Sequence, residues 1–181
     1  MQTYIAILRG INVGGKKPMK MQALKELCVN IGCKNVQTYI QSGNIVFNYK
    51  KENTKTIASL LSKKTTATFG FEVPILVLLL EEIQAVVNAN SFLQDKQKDI
   101  AFFYVTFLEE LPDAEKTIAL QKTNFGVDEI FIKDKAVYLY CPNSYSSSKL
   151  TNTFIENKLK VTATTRNWKT VNELLTMGIN L

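Results

Sequence analysis

Two pairs of β-rich runs constrain this chain more than any other feature. Residues 36–41 and 45–49 flank Ser42-Gly43-Asn44, and residues 127–132 and 135–140 flank Lys133-Asp134. β-branched and aromatic residues on both sides of a short turn predict a hairpin. The first hairpin lies between two helical patterns. Before it, residues 4–8 (YIAIL) form a short apolar run that predicts a buried strand ended by Gly10. Met21, Leu24, Leu27, Cys28 and Ile31 then recur at helical spacing, which predicts a helix over 19–31 stopped by Gly32. After the hairpin, Asn53 or Thr54 caps a helix running to about Thr68, with Ile57, Leu60 and Leu61 inward. Residues 72–79 are a strand, and Pro74 near its start marks an edge or a strand beginning. The order β-α-β-β-α-β is the ferredoxin-like split βαβ unit.

A similar series follows. A helix is expected over 81–90, and the polar residues 91–99 read as a linker. Residues 100–107 are a strand, Pro112 stands in the first turn of a helix to about Lys122, and the second hairpin comes next. Residues 147–159 form a helix with Leu150 and Phe154 on one face, residues 160–164 a last strand, and Asn167 caps a final helix to about Met177. The expected fold is α+β: two ferredoxin-like halves in tandem, residues 1–90 and 91–181, each an antiparallel sheet with helices. The two halves share no clear residue-level repeat.

Composition excludes several functions. The chain contains no histidine. Imidazole-based acid–base or nucleophilic catalysis is therefore ruled out, as are His-ligated metal sites and a histidine pH switch. No motif calls for a cofactor or a metal. The longest apolar stretch, 73–80, is far short of the ~20 residues of a membrane span. The start of the chain has no basic segment before its apolar run, so it does not read as a signal peptide. Cys28, Cys33 and Cys141 are too sparse for a disulfide framework and read as small buried hydrophobes. A cytoplasmic protein without a membrane partner is the expectation.

Charge is unevenly placed. Residues 1–51 carry eight basic side chains and one acid, Glu26. Residues 52–139 carry nine basic and thirteen acidic groups, and residues 140–181 five and two. Basic charge concentrated in one segment points to an anionic partner. Twenty of the 22 basic residues are lysine, and the two arginines are Arg9 and Arg166. Only arginine offers a planar fork that grips a phosphate or carboxylate at two points.

Three segments are candidate sites. The first is Arg9-Gly10-Ile11-Asn12-Val13-Gly14-Gly15-Lys16-Lys17. It imitates a P-loop but has lysine where the metal-binding hydroxyl belongs, and the split βαβ order does not supply the parallel sheet such a loop requires. A looser reading remains: glycines turn backbone N–H groups towards an anion while Arg9, Lys16, Lys17 and Lys20 surround it. A plain glycine-rich connection with solvated lysines is the competing reading. The second segment is Thr38-Tyr39-Ile40-Gln41-Ser42-Gly43-Asn44. Its Gln41, Ser42 and Asn44 can orient a ligand or simply make a turn. The third is Thr164-Thr165-Arg166-Asn167-Trp168, where Arg166 can clamp a phosphate and Trp168 stack on a base, or the ring can fill the core.

These same segments resemble a known bacterial family. Residues 4–16 with Met21, residues 38–47, and residues 164–171 are similar to the domain of unknown function 1697 family, from one end of the chain to the other. The resemblance implies a compact α+β protein of two ferredoxin-like halves and implies no activity, cofactor or catalytic residue.

The leading functional expectation is a binding module for an anionic ligand, a nucleic acid or a nucleotide. Arg9, Gly10, Asn12, Gly14, Gly15, Lys16, Lys17, Gln41, Ser42, Asn44, Arg166, Asn167 and Trp168 are its candidate contacts. The alternative is an enzyme acting on a small phosphorylated or carboxylated metabolite in a cleft between the halves, with Tyr39 or a lysine moving the proton. The third option is a structural or protein-interaction role. Nothing in the sequence specifies an oligomeric state.

Overall fold

The computed structural model describes every residue, Met1–Leu181. β1 (Gln2–Leu8) runs through the centre of the first sheet because Tyr4, Ile5, Ala6, Ile7 and Leu8 are apolar on both faces, and all five are fully buried. α1 (Met21–Asn30) follows, then the hairpin of β2 (Lys34–Tyr39) and β3 (Asn44–Tyr49), α2 (Thr54–Phe69) and β4 (Ile75–Leu79). The strand order is β2-β3-β1-β4, with every neighbour antiparallel. This is the ferredoxin-like arrangement, and it puts β4 on an edge directly after Pro74, as the proline requires. Tyr4, Ala6, Leu8, Ile45, Phe47 and Val77 join Leu24, Leu27, Cys28, Ile57 and Leu61 of the two helices in one core. Asn53 caps α2 by accepting from the Lys55 N–H at 2.8 Å.

α3 (Leu80–Asn88) leads to the second series: β5 (Phe103–Leu108), α4 (Ala114–Gln121), β6 (Glu129–Lys133), β7 (Ala136–Tyr140), α5 (Asn152–Leu159), β8 (Ala163–Asn167) and α6 (Trp168–Ile179). The second sheet has the order β6-β7-β5-β8, which is the same topology again. The chain divides into two compact units, Met1–Gln84 with Glu173–Leu181, and Ala85–Asn172. In the first unit the C-terminal segment is held by a close approach: a Cβ on Gly178 would stand 2.5 Å from Leu80 Cδ1. No helix is long and apolar enough to cross a membrane.

Several local readings change, among them residues 100–102, which form a 3₁₀ turn ahead of β5 rather than its first residues. Residues 91–99 are packed, not a linker. Ser91–Gln94 is a 3₁₀ turn capped by Asn90, and Phe92 lies against Phe103 and Tyr140. The Lys98 ammonium sits 4.7 Å from the Tyr140 ring centre and pairs with Glu129 and Asp95. Phe92 and Lys98 in a polar segment carry too little periodicity to show this. Pro112 precedes the α4 cap, which is Asp113, so the helix starts two residues later than the proline suggests. α5 starts at Asn152 because Thr151 caps it. β8 runs to Asn167, so Arg166 lies on an edge strand rather than in a loop.

Candidate functional site

The segment Arg9–Lys20 is a small hairpin rather than an open cradle. The Lys16 N–H donates to the Val13 carbonyl at 3.0 Å, and the Asn12 N–H to the Lys17 carbonyl at 3.2 Å. Gly14 and Gly15, at φ 57° and 72°, form its two-residue tip. Both central residues need positive φ in this turn, which is why two glycines stand there. The tip is exposed, together with Val13, Lys16 and Lys20.

Asn12 organises everything around that tip. Its Nδ2 donates to the Met19 carbonyl at 2.9 Å and to the Gln41 carbonyl at 2.9 Å, and its Oδ1 accepts from the Met19 N–H at 2.8 Å. One side chain therefore ties the hairpin, the approach to α1 and the β2–β3 turn together. Gly43 closes the join from the other side. Its carbonyl accepts from the Leu8 N–H at 2.8 Å, and a Cβ there would fall 2.6 Å from Ile11 Cδ1. Asn44 is fully buried and braces the turn, with Nδ2 donating to the Tyr39 carbonyl and to Ser42 Oγ, both at 3.0 Å. The first two candidate segments thus form one surface.

Within that surface the residues divide by what they touch. Asn12, Gly43 and Asn44 hold the backbone in place. The Lys17 ammonium donates to the Glu72 carbonyl, so it anchors the hairpin to the segment before β4. The Arg9 N–H donates to the Pro74 carbonyl at 3.0 Å. Lys16, Lys20 and Gln41 are exposed on the outside. α1 starts without help: Lys20 stands at its cap position, makes no side-chain cap, and no acid occupies the first turn. A helix start keeps unsatisfied N–H groups and positive potential unless a side chain or ligand answers them. The chain carries no acid before Glu26.

The third segment belongs to the second unit. Thr165 faces the helices, where its Oγ1 meets Thr106 Oγ1 and Asn152 Oδ1 at 2.7 Å and the Tyr145 hydroxyl at 3.2 Å. Arg166 pairs with Val105 one residue further on, so it points to the opposite face. It is half-buried, and burial brings its guanidinium down to about 10, still protonated at neutral pH. Asn167 caps α6 by accepting from the Thr170 N–H at 2.8 Å. Trp168 is only 7% exposed, so its ring contributes to packing and offers little face to a base.

All three thiols are buried. Cys28 and Cys33 are free, buried and hydrogen-bonded to each other. That bond and burial push Cys28 up, while the same bond pulls Cys33 down. Burial raises Cys141 to about 11. No cluster of His, Cys, Asp and Glu is arranged to hold a metal ion.

A family model described as protein of unknown function (DUF1697) matches residues 1–138, which include the whole clamped surface. The chain belongs to this family. Among curated proteins none matches it. Among solved structures, the fold of this chain is similar to that of the conserved bacterial protein SP0830 from Streptococcus pneumoniae. The identity is 24%, the alignment covers 97% of this chain and 98% of the other, and the TM-score is 0.73. That likeness extends to the architecture of both units and stops there. Sequence reasoning placed Lys20 beside the glycine loop but missed Val13 and Ile40 as members of the surface. The signal available was an aliphatic residue inside each of two turns, where polar residues are usual.

Proposed function

We propose that this protein is a binding module for an anionic ligand, a nucleic acid or a nucleotide, and that the Asn12-clamped surface of the first unit is where it binds. The observation that carries this reading is the arrangement gathered by Asn12: an exposed Gly14-Gly15 turn, Lys16 and Lys20 beside it, and the uncapped start of α1. Exposed amides and a helix start favour an anion, and the lysines add point charge. In this reading Asn12, Gly43, Asn44 and Lys17 support the surface, Lys16, Lys20 and Gln41 meet the ligand, and Arg9 adds charge at the end of β1. Arg166 remains a candidate contact on the second unit.

Catalysis draws less support. The thiols are buried, and no imidazole exists to activate a hydroxyl. Free, buried cysteines suit a reducing cytoplasm, and a bacterial cytoplasm offers both nucleic acids and nucleotides in quantity.

A thermal-shift screen over nucleotides, oligonucleotides and phosphorylated metabolites tests the proposal, since a ligand that binds only the folded state raises Tm with concentration. The expected hit is anionic and weakens with salt, by roughly 0.7 to 0.9 log units per phosphate contact for each tenfold rise in salt. No anion raising Tm, or a hit indifferent to salt, would overturn it.

A further inference from the structure

The clamped surface is not purely basic. Val13 is 66% exposed and Ile40 49% exposed. Each stands next to a residue joined by the same hydrogen bond, Asn12 Nδ2 to the Gln41 carbonyl at 2.9 Å. Two aliphatic side chains are therefore held on neighbouring turns. Lys16 is the cross-turn partner of Val13, and Lys20 follows Met19, which Asn12 also holds.

Ile40 is the more telling of the two. Its φ is 48°, in the left-handed region that β-branched residues avoid. Asn or Gly would sit there without cost, and either would make the turn more soluble. About half of this strained isoleucine is left in water. The exposed half contributes further burial when something apolar covers it.

We propose that the ligand of this surface is single-stranded nucleic acid, with unstacked bases lying on Val13 and Ile40 and the backbone phosphates on Lys16 and Lys20; this rests on the anion-binding reading above. A duplex hides its base faces and presents phosphates and groove edges, so it would leave both aliphatic side chains in water. A free mononucleotide brings one base and cannot cover two turns. A single strand alternates flat apolar base faces with charges, which matches an aliphatic pair flanked by lysines, the contact being apolar burial of base faces and not ring stacking. Lys16 and Lys20, both exposed, supply positive charge of the kind that a phosphate backbone requires.

The test is fluorescence anisotropy with a labelled single-stranded oligonucleotide, its duplex, adenosine monophosphate as competitor, and vesicles of phosphatidylcholine and phosphatidylglycerol in equal parts. The full-length protein is compared with Val13→Ser, Ile40→Asn, the two combined, and Lys16→Ala with Lys20→Ala. Wild type should prefer the single strand to the other three. The combined aliphatic variant should lose about tenfold in single-strand affinity. Its Tm should hold or rise, because Asn accepts the left-handed geometry, so lost binding cannot be mistaken for lost folding. If that variant keeps its single-strand affinity while the lysine pair loses it, the aliphatic platform is overturned and the anion site stands. Vesicles bound in preference to oligonucleotide would also overturn it, in favour of a lipid surface. Should neither set of variants change the binding of any anion, the functional proposal falls as well.

Discussion

The two units share a topology and carry opposite charge in one pair of corresponding loops. In the first, the Leu8 N–H donates to the Gly43 carbonyl and the Arg9 N–H to the Pro74 carbonyl. In the second, the Leu108 N–H donates to the Lys135 carbonyl and the Glu109 N–H to the Thr162 carbonyl. Arg9 and Glu109 thus occupy equivalent positions with opposite charge. The loops that follow diverge in the same sense. The first is a glycine hairpin with lysines, leading to a helix with no cap and no acid in its first turn. The second is Glu109-Glu110-Leu111-Pro112-Asp113, and Asp113 accepts from the Lys116 N–H at 3.0 Å to cap α4. The β2–β3 turn is also longer, because Ile40 and Gln41 precede a Ser42-Gly43 pair that corresponds to Asp134-Lys135. That extra length supplies the carbonyl that Asn12 grips. One unit completes its own helix start with a carboxylate, while the other supplies no side-chain cap and no acid there.

The largest expected effect breaks the join between the loops. Gly43→Ala places a Cβ 2.8 Å from Leu8 Cβ at φ 79°, and should cost about 3 kcal/mol or more in denaturant unfolding. Gly126→Ala, at φ 74° with open space around it, should cost about 1 kcal/mol. Equal losses would mean that strain alone, and not the packed join, makes Gly43 matter.

Asn12→Ala comes next. It orphans the Met19 N–H and the Gln41 carbonyl in a partly solvated place, for a loss of about 2 kcal/mol, together with weaker binding of any anion. Weaker binding with unchanged stability would mean that Asn12 contacts the ligand rather than the loops.

Lys20→Asp converts the first helix start into a copy of the second. A carboxylate at the cap should stabilise by about 1 kcal/mol and reduce anion affinity, so stability and binding move in opposite directions. If affinity is unchanged, the start of α1 is not part of the site.

The smallest effect is acidic. The Lys116 N–H holds the Asp113 carboxyl below the ordinary aspartate value. The cap therefore contributes above that ordinary value and is lost as pH falls through the lowered one. Wild type should lose more Tm across that acidic range than Asp113→Ala does, whereas α1 supplies no matching carboxylate step. Parallel acid profiles for the two proteins would remove Asp113 from the comparison.

Much of this difference is visible in the sequence, for physical reasons that differ from place to place. Both hairpins and the first four strands follow from β-branched runs and turn residues, and Asn53 and Asn167 act as caps because a short amide beside a helical pattern has one good use. The clamp is less visible. Asn12 looks like one more polar loop residue, because the groups it binds lie seven and 29 positions away. Trp168 beside Arg166 suggests a stacking pair, yet the strand continues through Arg166 because β8 pairs with β5 as far as Asn167, and this leaves the ring buried. Phe92 and Lys98 pack through contacts to Phe103, Tyr140 and Glu129, none of which a polar local window contains.

The most direct measurement is backbone amide chemical-shift mapping during titration with a single-stranded oligonucleotide. The expected perturbations cluster on Val13–Lys20 and Ile40–Gly43, fade with added salt, and leave Glu109–Lys116 of the second unit unchanged. Perturbations centred on the second unit, or none at all, would contradict the assignment of the anion site to the Asn12-clamped surface.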